Sequence, residues 1–192
     1  MVDVQNDFCP GGALAVPGGD QVVPVLNRYA KRFRERGLPV FASRDWHPSE
    51  TKHFQASGGP WPPHCVADTA GAAFHPDLSL EGAEVVSKGT DPEDDGYSAF
   101  EATSERGSAL PDALEERGVK RLFIGGLATD YCVRASVLDA AARGFQPVLL
   151  LDAIRGIDVE EGDQAAAVDE MIRAGATTAT LRTLEADLDG DR

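Results

Sequence analysis

The sequence is short of the residues that several classes of protein depend on. Three cysteines in 192 residues are an odd count with no framework spacing. That excludes a disulfide scaffold and points to reduced thiols in a cytoplasmic protein. Positive charge is scarce as well: Lys and Arg total 18 against 32 Asp and Glu, a formal net charge of -14. Nucleic acid and anionic membranes need basic patches, so neither is an expected partner. No apolar stretch approaches the length of a membrane span, and no signal-peptide pattern opens the chain. Repeats and linkers are missing too. What remains is ordinary globular composition, 42% hydrophobic and 26% charged, in a chain long enough for one domain with a real core. The expected organisation is a single domain over residues 1–183 and an acidic, frayed tail over 184–192.

The most informative stretch is Gly125-Gly-Leu-Ala-Thr-Asp-Tyr-Cys-Val133. The apolar run Leu122 to Ile124 reads as a buried strand, and the two glycines let the backbone turn and approach something closely. Thr129 or Asp130 is placed to cap a helix whose core face is Val133, Val137 and Ala141. Cys132 then falls in the first helical turn, where free N–H groups and the dipole favour a thiolate. Read locally, a small buried cysteine fits the same pattern.

Taken in order, Val2 and Val4 suggest a strand carrying Asp3. It is short for a central strand, which usually needs about five or six residues, and this points to a start upstream of Met1. A helix is expected from Asp20 to Arg36, on the spacing of Val22, Val25, Leu26, Tyr29 and Phe33, with Gly37 ending it. Strands follow at Leu38 to Ala42 and Val85 to Ser87, then a helix from Ser108 or Pro111 to Gly118. Pro147 to Leu151, Glu160 to Ala174 and Ala176 to Leu181 read as strand, helix and strand. Residues 43–82 form an irregular segment holding all four histidines and both tryptophans, and a loop of that length is usually functional. Alternating strands and helices imply a parallel sheet covered on both faces, with sites beyond the carboxyl ends of the strands. Asp3, Asp45, Lys88 and Cys132 all fall there.

These residue types complement one another. Lys88 can stabilise a thiolate at Cys132, and Asp3 can take the thiol proton and return it to a leaving group. Asp45 and His47, two apart in an extended segment, share a side. With His64 they form a ligand set for Zn2+ first, and for Fe2+ or Mn2+ as alternatives; His53 is a further candidate. Cys65, adjacent to His64, points the other way, and His75 reads as structural. Phe8, Trp61 and Tyr97 offer flat walls for an aromatic ligand, although each also suits a core.

The motifs Asp3-Val-Gln-Asn-Asp-Phe8, Arg44-Asp-Trp-His47, Trp61-Pro-Pro-His-Cys65, Ser87-Lys-Gly89, Tyr97-Ser-Ala-Phe100 and Ala128-Thr-Asp-Tyr-Cys132 occur in this order. Together they resemble the nicotinamidases of the isochorismatase-like cysteine hydrolase superfamily, from Asp3 to about residue 180. The resemblance implies an α/β fold: three layers, doubly wound, around a mainly parallel six-stranded sheet. It implies a catalytic triad of Asp3, Lys88 and Cys132. It also implies a non-proline cis peptide before Ala128, with the N–H groups of Ala128 and Cys132 as oxyanion donors. One divalent metal is implied on Asp45, His47 and His64, with His53 matching a further ligand. The implied reaction is hydrolysis of nicotinamide, with pyrazinamide as an analogue, between Phe8, Trp61 and Tyr97. Tyr131 stands where some relatives have His and lines the pocket beside the nucleophile. Members acting on other substrates generally lack the metal cluster. The alternatives are an amidase for a carbamoyl or ureido substrate and a non-catalytic nicotinamide-binding module. A homo-oligomer is left open.

Overall fold

The computed structural model describes residues 1–184. The tail expected over 184–192 therefore lies, apart from Leu184, outside the described residues. Along the chain come α1 (Val22–Glu35), β1 (Val40–Asp45), β2 (Ala83–Lys88), β3 (Thr103–Ser104) and α2 (Leu110–Glu116). There follow β4 (Arg121–Leu127), a π-turn (Thr129–Val133), α3 (Arg134–Ala142), β5 (Gln146–Arg155), α4 (Asp163–Arg173) and β6 (Thr177–Ala179). The apolar stripe of α1 is buried as its spacing requires: Val22, Leu26 and Tyr29 are in the core, with Val25 and Phe33 packed at its margin.

β1 pairs in parallel with β2, and β4 with β5 and β5 with β6 likewise. The two-residue β3, which the sequence did not reveal, adds an antiparallel edge to β2. Val2 joins the halves through single parallel bridges to Ser43 of β1 and Gly126 of β4. The resulting order is β3-β2-β1-Val2-β4-β5-β6, a doubly wound, mainly parallel sheet as expected. The opening strand is reduced to that bridge, because Asp3 turns away at φ 49° and Gln5 N–H donates back to Asp3 O at 2.9 Å. Towards the amino-terminal ends of β1 and β4 lies a cavity of about 440 Å³ lined by Leu26, Phe33, Phe41 and Phe123 among others.

Helices cover both faces. Val148 and Leu150 of β5 pack into the cluster containing Leu26 and Tyr29 of α1. Leu149, between them, packs with Leu114 of α2, Val137 of α3 and Met171 of α4. Successive strand residues point to opposite faces, so one apolar run serves two cores.

Two local expectations change. Neither Thr129 nor Asp130 caps the helix. Asp130 instead accepts the N–H groups of Ile157 and Asp158, at 3.0 and 2.8 Å, because a carboxylate satisfies two adjacent donors of another loop better than one of its own turn. The face of α3 is set by Val133, Val137 and Ala140, with Ala141 half-buried, since at the regular helical period Ala140 lies nearer the middle of the Val133–Val137 stripe than Ala141 does.

Gly126 sits at φ 136°, and a Cβ there would collide with the backbone of Val2. Gly126→Ala should thus force the one bridge between the halves apart. We expect a loss of about 1–3 kcal/mol in urea unfolding, the usual cost of such a backbone conflict. An unchanged midpoint would contradict this role.

Candidate active site

Strand ends bring the predicted residues together. Asp45 and Lys88 are the last residues of β1 and β2 and are directly opposite in register. Asp3 follows the Val2 bridge, and Cys132 lies in the π-turn after β4. Lys88 Nζ lies 2.8 Å from Asp3 Oδ2 and 3.6 Å from Cys132 Sγ. It also donates to Asp45 Oδ1 and, at 2.6 Å, to the Gly96 carbonyl. One carboxylate oxygen of Asp3, one of Asp45 and the Cys132 sulfur lie within 4.8 Å of one another. All four residues are buried. Despite its short strand, Asp3 is firmly held: Ser43 Oγ donates to its Oδ1 at 2.6 Å. The acidic turn after β2 closes over Lys88 through that Gly96 carbonyl.

Burial and charge pull these groups apart in acidity. Burial raises the Asp3 pKa; Lys88 opposes this and Asp45 adds to it. Burial also pushes Asp45 upward, but Lys88 and then His47 outweigh it and hold Asp45 well below the usual carboxylate range. Burial alone would lower Lys88, yet Asp3, Asp45 and Cys132 raise it well above an ordinary lysine. The Cys132 thiol is raised well above the ordinary value by burial, with Lys88 opposing and both carboxylates adding. This corrects the expectation of a resting thiolate: the helix start and Lys88 do not overcome desolvation and two nearby anions. Asp3, beside the sulfur, is the group placed to accept its proton.

Beside this group stand His47, His53 and His64, all buried, each offering a ring nitrogen within 4.8 Å of the others. His47 Nδ1 donates to the Gly89 carbonyl at 3.1 Å and His64 Nδ1 to the Pro62 carbonyl at 2.8 Å. A carbonyl only accepts, so Nδ1 carries a proton in both rings and Nε2 is the nitrogen left to face a ligand. Gly89, at φ 63°, makes its contact by lacking a Cβ that would strike the His47 ring. His47 Nε2 is buried without a hydrogen-bond partner among the described residues, and Asp45 Oδ2 lies 3.8 Å away. Burial and then its histidine neighbours lower the His53 pKa to about 4; burial lowers that of His64. Buried, mutually facing imidazoles, one with a ring nitrogen that has no hydrogen-bond partner among the described residues, fit a divalent cation. His53 belongs to this group as closely as the two histidines expected first. Asp45 stands between the imidazoles and Lys88, with one oxygen towards each. Cys65 stays outside, its N–H donating to Asp7 Oδ2 at 2.7 Å.

Trp61, Tyr97 and Tyr131 form a half-buried aromatic wall. Trp61 Nε1 donates to the Tyr97 hydroxyl at 2.8 Å, and Tyr131 meets Trp61 edge-on at 4.9 Å and Tyr97 at 6.1 Å. Phe8 is buried against the His64 ring at 5.5 Å. The peptide bond between Leu127 and Ala128 is cis, as the resemblance implied.

Several supporting residues were not singled out from sequence. Ser43 orients Asp3, and Asp7 ties the His64–Cys65 segment to the start of the chain. Ser136 Oγ donates to the Cys132 carbonyl at 2.6 Å while accepting from Ala99 N–H at 2.9 Å. Gln5 spans three backbone groups. Asp7 and Gln5 lie inside a quoted motif, which was their only signal; nothing marked Ser43 or Ser136.

Comparison with known proteins agrees with this geometry. A model of the isochorismatase domain matches residues 1–183. The nicotinamidase of Escherichia coli (strain K12) is 43% identical over 202 residues, covering 96% of this chain and 95% of that protein. The solved pyrazinamidase of Pyrococcus horikoshii, in complex with zinc, is 45% identical with a TM-score of 0.86, covering 94% of this chain and 97% of that one. PnC1 from L. infantum, in complex with nicotinate, is 35% identical with a TM-score of 0.82, covering 94% of this chain and 90% of that one. With a family model spanning nearly its whole length and a sheet edge that gathers the residues the motifs named, this chain belongs to the isochorismatase family.

Proposed function

We propose that the protein is a metal-assisted cysteine amidohydrolase that converts nicotinamide to nicotinate and ammonia, within one hydrolase domain over residues 1–183. The observation that carries this reading is the position of Lys88 Nζ, 2.8 Å from Asp3 and 3.6 Å from Cys132, beside three facing imidazoles. A nicotinamidase 43% identical over almost the full chain supports the substrate.

Asp45, His47, His53 and His64 would hold the divalent cation, with Zn2+ the first candidate because nitrogen and carboxylate donors suit it. When bound, the cation supplies a Lewis-acidic anchor for the pyridine nitrogen and so orients the ring. Trp61, Tyr97, Tyr131 and Phe8 flank that ring and exclude water. As the Cys132 sulfur bonds to the carboxamide carbon, its proton passes to Asp3, whose raised pKa suits a base taking a proton from a thiol. Lys88 steadies the charge moving between sulfur and carboxylate. The N–H groups of Ala128 and Cys132 hold the oxyanion, worth roughly 3–4 kcal/mol per donor in comparable sites. Asp3 then protonates the nitrogen, the C–N bond breaks and ammonia leaves a thioester. Asp3 next takes a proton from water; the hydroxide adds to the thioester carbon, the C–S bond breaks, and Cys132 recovers its proton. Three cysteines without a disulfide fit a cytoplasmic setting.

An amidase for a carbamoyl or ureido substrate would have no use for a buried imidazole cluster beside an aromatic wall. A binding module would have no need of the Asp3, Lys88 and Cys132 contact. One assay separates the three. Ammonia release from nicotinamide is measured with metal content in the same sample, with and without chelator. The wild type should turn over, lose activity on chelation and recover with metal. Cys132→Ala should lose at least about a thousandfold in rate, in line with removal of a nucleophile, while keeping its metal. Turnover of ureido substrates alone, unaffected by chelator, would replace this reading with the rival. Undiminished turnover by Cys132→Ala would remove the thiol from the mechanism.

The acidity of Asp3 gives a second expectation. Asp3 must be ionised to accept the proton, so kcat/KM falls as pH drops through its elevated pKa. The acid limb of the profile should lie above the ordinary Asp value of about 3.9. A limb at or below that value would mean another group is the base.

A further inference from the structure

We infer that Gln5 is a positioning residue that fixes Asp45 for its two roles. The inference rests on the reading of Asp45 as a metal ligand. Its physical basis is a missing rung in the sheet. Ser43 of β1 is paired on the Met1–Asp3 side through Ser43 N–H to Met1 O at 2.9 Å and Asp3 N–H to Ser43 O at 3.1 Å. Two residues on, Asp45 presents its N–H and C=O to the same side. The partner backbone is no longer there, because Asp3 turns at φ 49° and Gln5 N–H folds back to Asp3 O. The side chain of Gln5 takes the vacant place. Its Oε1 accepts from Asp45 N–H and its Nε2 donates to Asp45 O, both at 2.8 Å. A carboxamide carries the same donor and acceptor as a peptide group, so it completes the ladder as a strand would.

The second Nε2 hydrogen goes to Ala72 O at 2.8 Å. Ala72 belongs to the irregular segment that carries His53 and His64. Gln5 is wholly buried, and its amide is fully engaged. It therefore sets the end of β1 against the histidine loop. The consequence falls on Asp45, which sends one oxygen to Lys88 and has the other 3.8 Å from His47 Nε2. A backbone free to shift would let the carboxylate swing wholly to the ammonium, with which it already pairs directly. No other side chain type offers this pairing at equal length. Glu would accept from Asp45 N–H but could not donate to either carbonyl, and it would add a negative charge beside Asp45.

The test is titration of chelator-treated protein with Co2+, read by the visible absorption of the bound ion and its affinity. Gln5→Leu and the near-isosteric Gln5→Glu are compared with the wild type and with Met171→Ala. Met171 is a buried residue of α4 and none of the candidate metal ligands, so it controls for lost stability. Both Gln5 variants should bind Co2+ at least tenfold more weakly with an altered absorption band, while Met171→Ala keeps wild-type affinity and spectrum. Wild-type binding and spectrum in either folded Gln5 variant would overturn the inference, as would an equal loss in Met171→Ala. Failure of the wild type to bind Co2+ would instead overturn the metal reading on which it rests.

Discussion

A single buried ammonium governs this site. Lys88 carries the positive charge that makes two buried carboxylates tolerable, and it is the only cation touching them among the described residues. A charge of this kind is costly to bury alone and worthwhile only with partners. One cation cannot neutralise two anions, and the imbalance is what differentiates them. Asp45, with Lys88 and His47 beside it, is held as a carboxylate against its burial, while burial and the neighbouring Asp45 leave Asp3 with its acidity weakened despite Lys88. Two carboxyl groups whose surroundings drive their pKa values apart are equipped for different work. One can remain a fixed anion while the other exchanges protons. The thiol is raised by the same burial, and Asp3 is the neighbour placed to receive its proton in the proposed reaction.

The fold exists to hold that ammonium in place. β1 and β2 end in register at Asp45 and Lys88, and the Val2 bridge supplies Asp3 between β1 and β4. The π-turn after β4 then presents Cys132. None of these positions is reached by local chain alone. Asp3 and Lys88 are separated by a helix, a strand and an irregular loop, and their meeting depends on parallel pairing across the middle of the sheet. Asp45 is the hinge between two neighbouring chemistries: one side belongs to Lys88 and the thiol, the other to the imidazoles.

Much of this was legible beforehand, and for identifiable reasons. The apolar period of α1 and the apolar run of β5 report burial directly. Glycines 37 and 118 mark turns that only glycine adopts easily. Asp3, Asp45, Lys88 and Cys132 were readable as candidates because each falls at or just past the end of an expected strand, where a parallel sheet puts its sites. What escaped was cooperative. The sequence does not say that Asp130 would serve the loop after β5 in preference to its own turn, nor that the turn carrying Cys132 would be a π-turn. It also suggested an ionised sulfur from local helix geometry. Desolvation by the assembled core, invisible to a local reading, reverses that. His53 was harder to place than His64 because its role depends on how the long loop folds back, which no periodicity encodes.

The central claim is that Lys88 is the counter-charge on which both carboxylates rely. Lys88→Met removes the charge and keeps most of the volume. The most direct test is the unfolding free energy of this variant and of the wild type as a function of pH, both with chelator present. Without the ammonium, Asp3 and Asp45 should both have folded-state pKa values raised above their unfolded ones. Stability from such groups is full below the unfolded pKa and is lost as pH rises through the folded value. The variant should accordingly be about 3–5 kcal/mol less stable at neutral pH, the usual cost of stranding buried charge, and should close most of that gap as pH falls towards 4. A deficit that is absent, or that stays constant across this range, would contradict the account.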